Sequence, residues 1–242
     1  MNAMPSDTLP AALLQEAVLA LVAFAAVGFA IPDAHKRCTK SVQQRSIVRF
    51  ATIALLLVGL VGGAITLLAW LFAGGGTMAG FASTALPSTA DLMENLLLLL
   101  GICLLTGLYE ESFMRVLGIE AFERALDTKR AILASAALFA LLHVGAPDVS
   151  AGQLVLLQAA LKFGQALLFG VILGALYVRT RRLWPCAFIH AGFDVLYLAP
   201  NVLLTGTMPE TYASGAVGDT VLLAVSVLML SGIVLKIRKE IA

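Results

Sequence analysis

The sequence has few charged residues for its length. Asp, Glu, Lys and Arg make up 13% of the 242 residues, whereas soluble globular domains carry about 25%. Hydrophobic residues reach 60%, and the mean hydropathy is +0.94. This balance argues against one large soluble core and indicates a polytopic membrane protein. The net charge is only +1 and the basic residues form short clusters, so we expect no nucleic-acid partner.

Cysteine is scarce as well. The three cysteines, Cys38, Cys103 and Cys186, lie far apart and form no CxxC pair, so neither a disulfide framework nor a thiolate metal site is expected. The HExxH motif is also absent, so no local motif identifies a zinc site. No Lys or Arg precedes the first apolar run, and we expect that run to be a retained span rather than a cleaved signal peptide.

Long apolar stretches make up most of the chain. A helix needs about 20 apolar residues to cross the hydrocarbon of a bilayer. Seven candidate stretches cover roughly residues 11–31, 47–73, 92–117, 130–146, 152–178, 184–204 and 217–236. We therefore predict an all-α fold, a polytopic bundle of about seven transmembrane helices that forms one integral membrane domain over residues 1–242.

The basic residues lie in alternate connections between these spans. Fourteen of the 16 fall after spans one, three, five and seven. They are Lys36, Arg37, Lys40, Arg45, Arg49, Arg124, Lys129, Arg130, Arg179, Arg181, Arg182, Lys236, Arg238 and Lys239. The intervening loops, 74–91, 145–151 and 201–219, contain none. By the positive-inside rule, this pattern predicts an N-terminus outside and a C-terminus in the cytoplasm.

Two adjacent acids lie at the end of the apolar run in the third span. Glu110 and Glu111 follow that run, and Arg115 comes four residues after Glu111. An ionisable side chain at membrane depth costs at least about 2.5 kcal/mol, so the pair is expected to have a function. Glu111 and Arg115 share a helical face and can form an ion pair. Glu110 points about 100° away and has no such partner in its own helix.

Two histidines fall inside other spans. The pairs Phe139-x3-His143 and His190-x3-Asp194 each share one helical face. A Glu and a His from different helices can activate a water as general base. The second His can stabilise an oxyanion or bind a metal, and two His with one Glu are also a plausible zinc site that leaves a position for water. Hydrolysis of an amide in or beside the bilayer is the chemistry expected of either arrangement.

Two further features of the spans concern packing. Lys162 lies within the fifth span, and we expect it to snorkel to the interface rather than line a polar cavity. Gly170 and Gly174 are four residues apart in the same span. That spacing of small residues predicts a close approach to a neighbouring helix.

The polar motifs resemble those of the CPBP family, which comprises CAAX proteases and bacteriocin-processing enzymes and is also known as the Abi or type II CAAX prenyl endopeptidase family. Its EExxxR, FxxxH and HxxxN/D motifs and its glycine-containing helix match Glu110-Glu111-x3-Arg115, Phe139-x3-His143, His190-x3-Asp194 and Phe169-Gly170-x3-Gly174. The resemblance covers about residues 92–200, which would be the catalytic core. Spans 11–31, 47–73 and 217–236 lie outside it.

The resemblance implies a membrane-embedded endopeptidase. Its substrate would be a membrane-associated protein or peptide, cut near its C-terminus or in its membrane-proximal part. We expect such a protein in the lipid bilayer of the bacterial inner (plasma) membrane. Nothing in the sequence indicates a lipid-binding pocket, so a prenylated substrate is not favoured.

Carried over to this chain, the motifs assign a role to each polar residue. Glu110 and His143 would activate water, and His190 with Asp194 would stabilise the oxyanion. A divalent metal such as zinc, held by Glu110, His143 and His190, is an alternative, because both a metal and a metal-free glutamate mechanism are argued for the family. The supporting residues would be Glu111, Arg115 and Phe139.

Asp194 departs from the commonest form of the family pattern. Many members have Asn at this position, and an Asn amide can donate a hydrogen bond to an oxyanion. An ionised Asp can only accept. Asp194 would therefore be protonated, orient His190 through a ring N–H or bind a cation, and we favour the orientation of His190.

Three other interpretations compete with proteolysis. A non-proteolytic family member, such as an immunity or scaffold protein, would use the polar cluster as an ion-paired core. A proton-coupled transporter would also bury Glu and His, but an inverted repeat is expected of it and none is seen. A thiol enzyme would use Cys186, four residues before His190, although buried cysteines are commonly packing residues. Proteolysis is favoured because both the Glu and the two His positions are intact.

Overall fold

The computed structural model describes residues 8–30, 42–72, 87–144, 150, 152–209 and 213–241. All regular structure in these ranges is helical. The α-helices are α1 (Leu9–Ala30), α2 (Val42–Phe72), α3 (Thr89–Glu111), α4 (Glu120–Phe122), α5 (Thr128–Val144), α6 (Gln153–Thr180), α7 (Leu183–Thr205) and α8 (Val217–Ile241), and a π-helical segment, Ser112–Ile119, joins α3 to α4. The all-α prediction is confirmed, and each of the seven predicted spans coincides with a helix.

Six of the described helices are long and apolar enough to cross a membrane. They are Leu9–Ala30, Val48–Leu71, Thr89–Phe122, Gln153–Thr180, Leu183–Thr205 and Val217–Arg238. Large apolar side chains such as Leu97 and Leu228 are exposed on outward faces, as expected where helices contact lipid. The protein is therefore a polytopic helical membrane protein.

The fourth predicted span is the short one. Helix α5 has 17 residues, which at 1.5 Å per residue gives a length of about 25 Å. It is five residues shorter than the shortest of the six long helices. Lys36, Arg37 and Lys40, which contribute to the predicted orientation, lie outside the described residues.

Local sequence sets the ends of the helices that carry the polar motifs. Ser88 begins α3 with a capping box, in which its hydroxyl accepts from the Asp91 N–H and the Asp91 carboxylate accepts from the Ser88 N–H. Helix α7 ends at Gly206, whose φ of 70° is a left-handed conformation that glycine adopts without steric cost. Helix α3 thus starts at a fixed residue about six turns before the Glu pair.

A charged cluster ties the α6–α7 turn to the end of the third span. The Arg181 guanidinium donates to Glu120 at 2.9 Å and to Glu123 at 2.8 Å, and Tyr177 also donates to Glu120. The hydrogen bonds and the negative charge of Glu123, followed by those of Glu120, raise the pKa of Arg181. This cluster ties the end of α6 and the turn before α7 to α4 and the residue that follows it.

Small residues bring the helices of the site close together. Helix α3 packs against α7 and α1, α5 packs against α6, and α2 packs against α7. A Cβ at Gly107 would lie 2.6 Å from the Ala187 carbonyl oxygen, and one at Gly170 would lie 2.9 Å from the Ala136 Cβ. The predicted close approach at Gly170 is confirmed, and its partner is α5. These contacts leave no room for larger side chains between the helices that carry the polar residues.

Candidate active site

Four parts of the bundle converge on one buried polar cluster. The end of α3 and the π-helical segment supply Glu110, Glu111 and Arg115; α5 supplies His143, and α7 supplies His190. At a rise of 1.5 Å per residue, these residues lie between about 10 and 20 Å from the loop at the end of their own helix. By this count alone they would lie at different depths. Contacts of 3.6 and 3.8 Å from Glu110 to the two histidines nevertheless bring them to a common level.

One side of the cluster is a chain of buried hydrogen bonds. Arg115 donates from Nε to Glu111 at 2.8 Å, and both side chains have 0% exposure. Glu111 also accepts a hydrogen bond from His190, whose Nδ1 lies 2.9 Å from Glu111 Oε1. The predicted Glu111–Arg115 ion pair is confirmed. Because an ion-paired carboxylate is an acceptor, Nδ1 of His190 carries a proton, and the ring orientation is fixed from this side.

Asp194 contacts the other ring nitrogen of His190, so its expected role in orienting the ring stays a prediction, beside the closer contact from Glu111. Asp194 Oδ2 lies 3.4 Å from Nε2 of the ring, while Glu111 makes the close contact to Nδ1. Glu111 sits on another helix, 79 residues away in sequence, and the pairing could not be inferred from spacing within α7. Asp194 instead faces the nitrogen that is turned towards Glu110.

The other side of the cluster has an unsatisfied carboxylate oxygen. Glu110 accepts from the Tyr109 hydroxyl through Oε1 at 3.0 Å. Its buried Oε2 has no hydrogen-bond partner among the described residues. That atom lies 3.6 Å from His190 Nε2 and 3.8 Å from His143 Nε2. A buried carboxylate oxygen without a donor is costly, so the site is shaped for a further polar group.

The tautomer of His143 follows from its backbone neighbour. Its Nδ1 lies 2.9 Å from the Phe139 carbonyl oxygen, which can only accept, so Nδ1 is the donor. In the neutral ring this leaves Nε2 as an acceptor that faces Glu110. Two acceptors 3.8 Å apart can both receive protons from a single water molecule.

Aromatic rings hold the two histidines. The Phe139 ring centroid lies 4.1 Å from that of His143, and the Phe169 centroid lies 4.9 Å from that of His190. Arg115 lies over Phe139 at 5.0 Å from its centroid, in cation–π geometry. Phe139, which we predicted to be a supporting residue, thus contacts both His143 and Arg115.

A small cavity of about 40 Å³ opens beside the histidines. Its lining includes Lys162 and Asp194 together with His143 and His190. The expectation that Lys162 snorkels to the interface is wrong, because its Nζ donates to Gln165 at 3.1 Å within this lining. The cavity is large enough for a water-sized group next to the catalytic candidates.

Two polar residues near the site were not singled out in the sequence. Glu16, on α1, is hydrogen-bonded to Thr106 of α3 and is an electrostatic neighbour of Asp194. Tyr109 precedes the Glu pair and donates to Glu110. An acid within the first apolar span was the available signal for Glu16. Tyr109 gave no signal, because a tyrosine at a span is common near membrane interfaces.

The thiol alternative does not fit the environment of Cys186. Its side chain is fully buried, and Sγ points at the Leu173 carbonyl oxygen at 3.7 Å. The sulfur therefore packs between α6 and α7.

A metal was tested against the same geometry. Among the described residues, no group of three His, Cys, Asp or Glu side chains is arranged to hold a metal ion. The Nδ1 atoms of His143 and His190 are engaged by Phe139 and Glu111, which leaves Nε2 as the available nitrogen of each ring. Chelation tests separately whether these nitrogens hold a metal.

Fold and site together define a polytopic helical membrane protein with a buried Glu–His cluster at the meeting point of its inner helices. A family model for the type II CAAX prenyl endopeptidase Rce1-like proteins matches residues 92–196. This match supports the resemblance to the CPBP (CAAX protease) family over that segment of the chain. No curated protein and no solved structure matches the chain. The matched segment contains every residue of the cluster from Glu110 to Asp194.

Proposed function

We propose that this protein is an intramembrane endopeptidase in which Glu110 and His143 activate a water molecule. The observation that carries the proposal is the unpartnered, buried Oε2 of Glu110, which faces Nε2 of both histidines at 3.6 and 3.8 Å. A general base must lie within reach of the proton that it removes. A water held by Glu110 and His143 meets that requirement without any movement of the helices.

In the first step, Glu110 takes a proton from this water while the water oxygen bonds to the carbonyl carbon of the scissile amide. The π electrons of the carbonyl move onto its oxygen, which becomes an oxyanion. His190 stabilises that charge from Nε2 when the ring is protonated on both nitrogens. Glu111 at Nδ1 and Asp194 at Nε2 are the carboxylates that favour this form.

In the second step, the amide nitrogen receives the proton held by Glu110 as the C–N bond breaks. The oxyanion re-forms a carbonyl, and the products are a carboxylic acid and an amine. Arg115 and Glu111 are positioning residues, because they act by holding His190 rather than by touching the substrate. Phe139 positions His143 through its carbonyl and ring.

The substrate class follows from where the site lies. The cluster lies among helices long enough to span the bilayer, which supports a substrate that is itself associated with the membrane. We propose a membrane-associated protein or peptide that is cut near its C-terminus or in its membrane-proximal part. The distribution of basic residues supports an N-terminus outside and a C-terminus in the cytoplasm, in a bacterial inner membrane.

The experiment uses the purified full chain in liposomes with a library of membrane-tethered peptides, and products are identified by mass spectrometry. We expect Glu110→Gln and His143→Ala to lower the cleavage rate by about 10² to 10⁴-fold, the usual contribution of a general base. Glu94→Gln is the matched control, because Glu94 is an exposed acid on the same helix α3. Unchanged cleavage in Glu110→Gln contradicts the assigned base.

Two further arms separate the competing functions. Chelator treatment that abolishes cleavage, with recovery on adding zinc, would replace the side-chain base by a metal-bound water. Ion flux through the liposomes with no cleavage of any peptide would favour the transporter. An absence of both activities would favour the immunity or scaffold protein.

A further inference from the structure

Position 194 leaves the oxyanion short of a donor. An Asn there would offer an N–H, whereas an ionised Asp194 is an acceptor only. Its Oδ2 lies 3.4 Å from His190 Nε2, so it competes with the substrate oxygen for that N–H. If His190 is the sole donor, its Nε2–H is shared between Asp194 and the oxyanion. Hydrolysis of an amide usually relies on several preorganised donors.

Lys162 reaches the same place from another helix. It lies on α6 and lines the small cavity together with His143, His190 and Asp194. Its electrostatic neighbours include both Asp194 and Glu110. A positive charge is thus brought to the side of the cluster where negative charge develops during the reaction.

A chain of hydrogen bonds holds the ammonium group in this position. Lys162 Nζ donates to Gln165 Oε1 at 3.1 Å, and Gln165 Nε2 donates to the Tyr197 hydroxyl at 3.1 Å. Gln165 is 3% exposed and Tyr197 is 4% exposed. An ammonium carries three donors, so the bond to Gln165 does not itself prevent a bond to another oxygen.

Acidic side chains lie near the ammonium group of Lys162. Its electrostatic neighbours include Asp194 and Glu110, and Asp194 lines the same cavity. Glu16 is a further acid near Asp194. A charged Lys162 is therefore compensated where it lies.

We propose that Lys162 is a catalytic residue that donates to the oxyanion, in the role that a neutral amide at position 194 would otherwise fill. The proposal rests on the proposed proteolytic function. As the water oxygen bonds to the amide carbon and Glu110 takes its proton, the carbonyl oxygen gains the electron pair. Lys162 Nζ–H and His190 Nε2–H then hydrogen-bond to it, and both release it when the C–N bond breaks. No proton leaves Lys162 in this step.

The test measures kcat and KM in the liposome assay for Lys162→Met. Loss of one oxyanion donor lowers kcat by about 10² to 10³-fold, and we expect this loss with KM little changed. Thermal unfolding of each variant reports whether the fold is retained. Glu110→Gln is measured in parallel, so that the two proposals fail separately.

Two double variants distinguish a donor from a mere counter-ion of Asp194. Both Lys162→Met/Asp194→Asn and Lys162→Met/Asp194→Leu remove the two charges together, but only the Asn side chain restores an N–H donor. We expect the Asn double variant to recover at least tenfold in kcat over Lys162→Met, which is about 1.4 kcal/mol, and the Leu double variant not to recover.

Three outcomes would overturn the assignment of Lys162. Equal recovery in both double variants would make Lys162 a counter-ion, and recovery in neither would show that a donor at position 194 does not replace it. An unchanged kcat in Lys162→Met, with cleavage lost in Glu110→Gln, would leave the proposed function standing without a role for Lys162. Cleavage that also survives in Glu110→Gln would overturn both proposals.

Discussion

Glu110 and Glu111 are neighbours in sequence, yet their surroundings are opposite. Glu111 is fully buried. Its carboxylate accepts hydrogen bonds from Arg115 at 2.8 Å and from His190 at 2.9 Å. Glu110 accepts one hydrogen bond, from the Tyr109 hydroxyl, and its second oxygen has no hydrogen-bond partner among the described residues. The cluster therefore has a saturated side around Glu111 and an unsaturated side around Glu110.

The difference separates what holds the site from what the site can do. Polar groups whose hydrogen bonds are complete rigidify a buried network, whereas incomplete ones are costly unless they serve a ligand or a reaction. On the saturated side, each oxygen of Glu111 has a donor, although the buried Nη1 of Arg115 has no hydrogen-bond partner among the described residues. On the unsaturated side, a Glu110 oxygen and two imidazole nitrogens face one another, and a small cavity opens beside the two histidines.

The largest effect on stability is expected from replacing Glu111, the acid whose two oxygens both accept hydrogen bonds. Glu111→Gln leaves Arg115 buried without its counter-ion, and breaking a buried ion pair from one side costs about 3 to 5 kcal/mol. We expect a lower free energy of unfolding in detergent micelles together with loss of cleavage, since His190 loses its Nδ1 partner. Glu110→Gln should lose cleavage without that loss of stability. If the two variants unfold alike, the division into two sides is wrong.

A smaller effect is expected from moving α5 alone. A Cβ at Gly170 would come within 2.9 Å of Ala136 Cβ and 3.0 Å of its Cα, so Gly170→Ala pushes α5, and with it His143, away from α6. Overpacking of this kind costs about 1 to 3 kcal/mol. We expect lower cleavage, because the Glu110–His143 distance grows while the Glu111 side on α3 and α7 is untouched.

Gly164→Ala is the matched control on the same helix. Its added Cβ would meet only Val227 Cγ2, at 3.7 Å, an ordinary van der Waals contact. We expect both stability and cleavage to be unchanged or slightly higher, since Ala favours a helix over Gly by up to about 1 kcal/mol. Equal losses in the two glycine variants would argue against a specific role for the α5–α6 contact.

The smallest effect is expected from the exposed ion pair. Arg130 Nε lies 3.3 Å from Asp127 Oδ2, with side-chain exposures of 75% and 55%. Pairs of this kind contribute about 0 to 1 kcal/mol. Arg130→Gln should therefore leave the unfolding free energy within that range, whereas Arg115→Gln should not. A comparable loss in both would mean that the buried Arg115–Glu111 pair gains nothing from its enclosure.

The sequence predicts features that lie within one helix. Apolar length predicts the helices, and four-residue spacing predicts the Glu111–Arg115 pair, because both ends of such a contact are set by helix geometry. The same geometry predicts that Glu110 points elsewhere. The catalytic roles themselves remain predictions, since the family match identifies the class of protein and not the part that each residue plays.

Contacts between helices could not be predicted in the same way. Whether Glu111 reaches His190, and whether Lys162 faces the cavity or the interface, depends on how each helix is rotated about its axis. Packing of small residues such as Gly107 against α7 sets that rotation. The change from α-helix to π-helix after Glu111 gave no compositional signal either, although such segments are frequent at functional sites.

The contact between His143 and the Phe139 carbonyl has a consequence for genetic experiments. The acceptor that selects the His143 tautomer is a main-chain oxygen, so every amino acid placed at position 139 would still supply it. Side-chain replacement there can disturb the ring packing against His143 and Arg115, but it cannot remove that acceptor. The protonated nitrogen of His143 is thus specified by the course of the backbone, and only unwinding the last turn of α5 would release it.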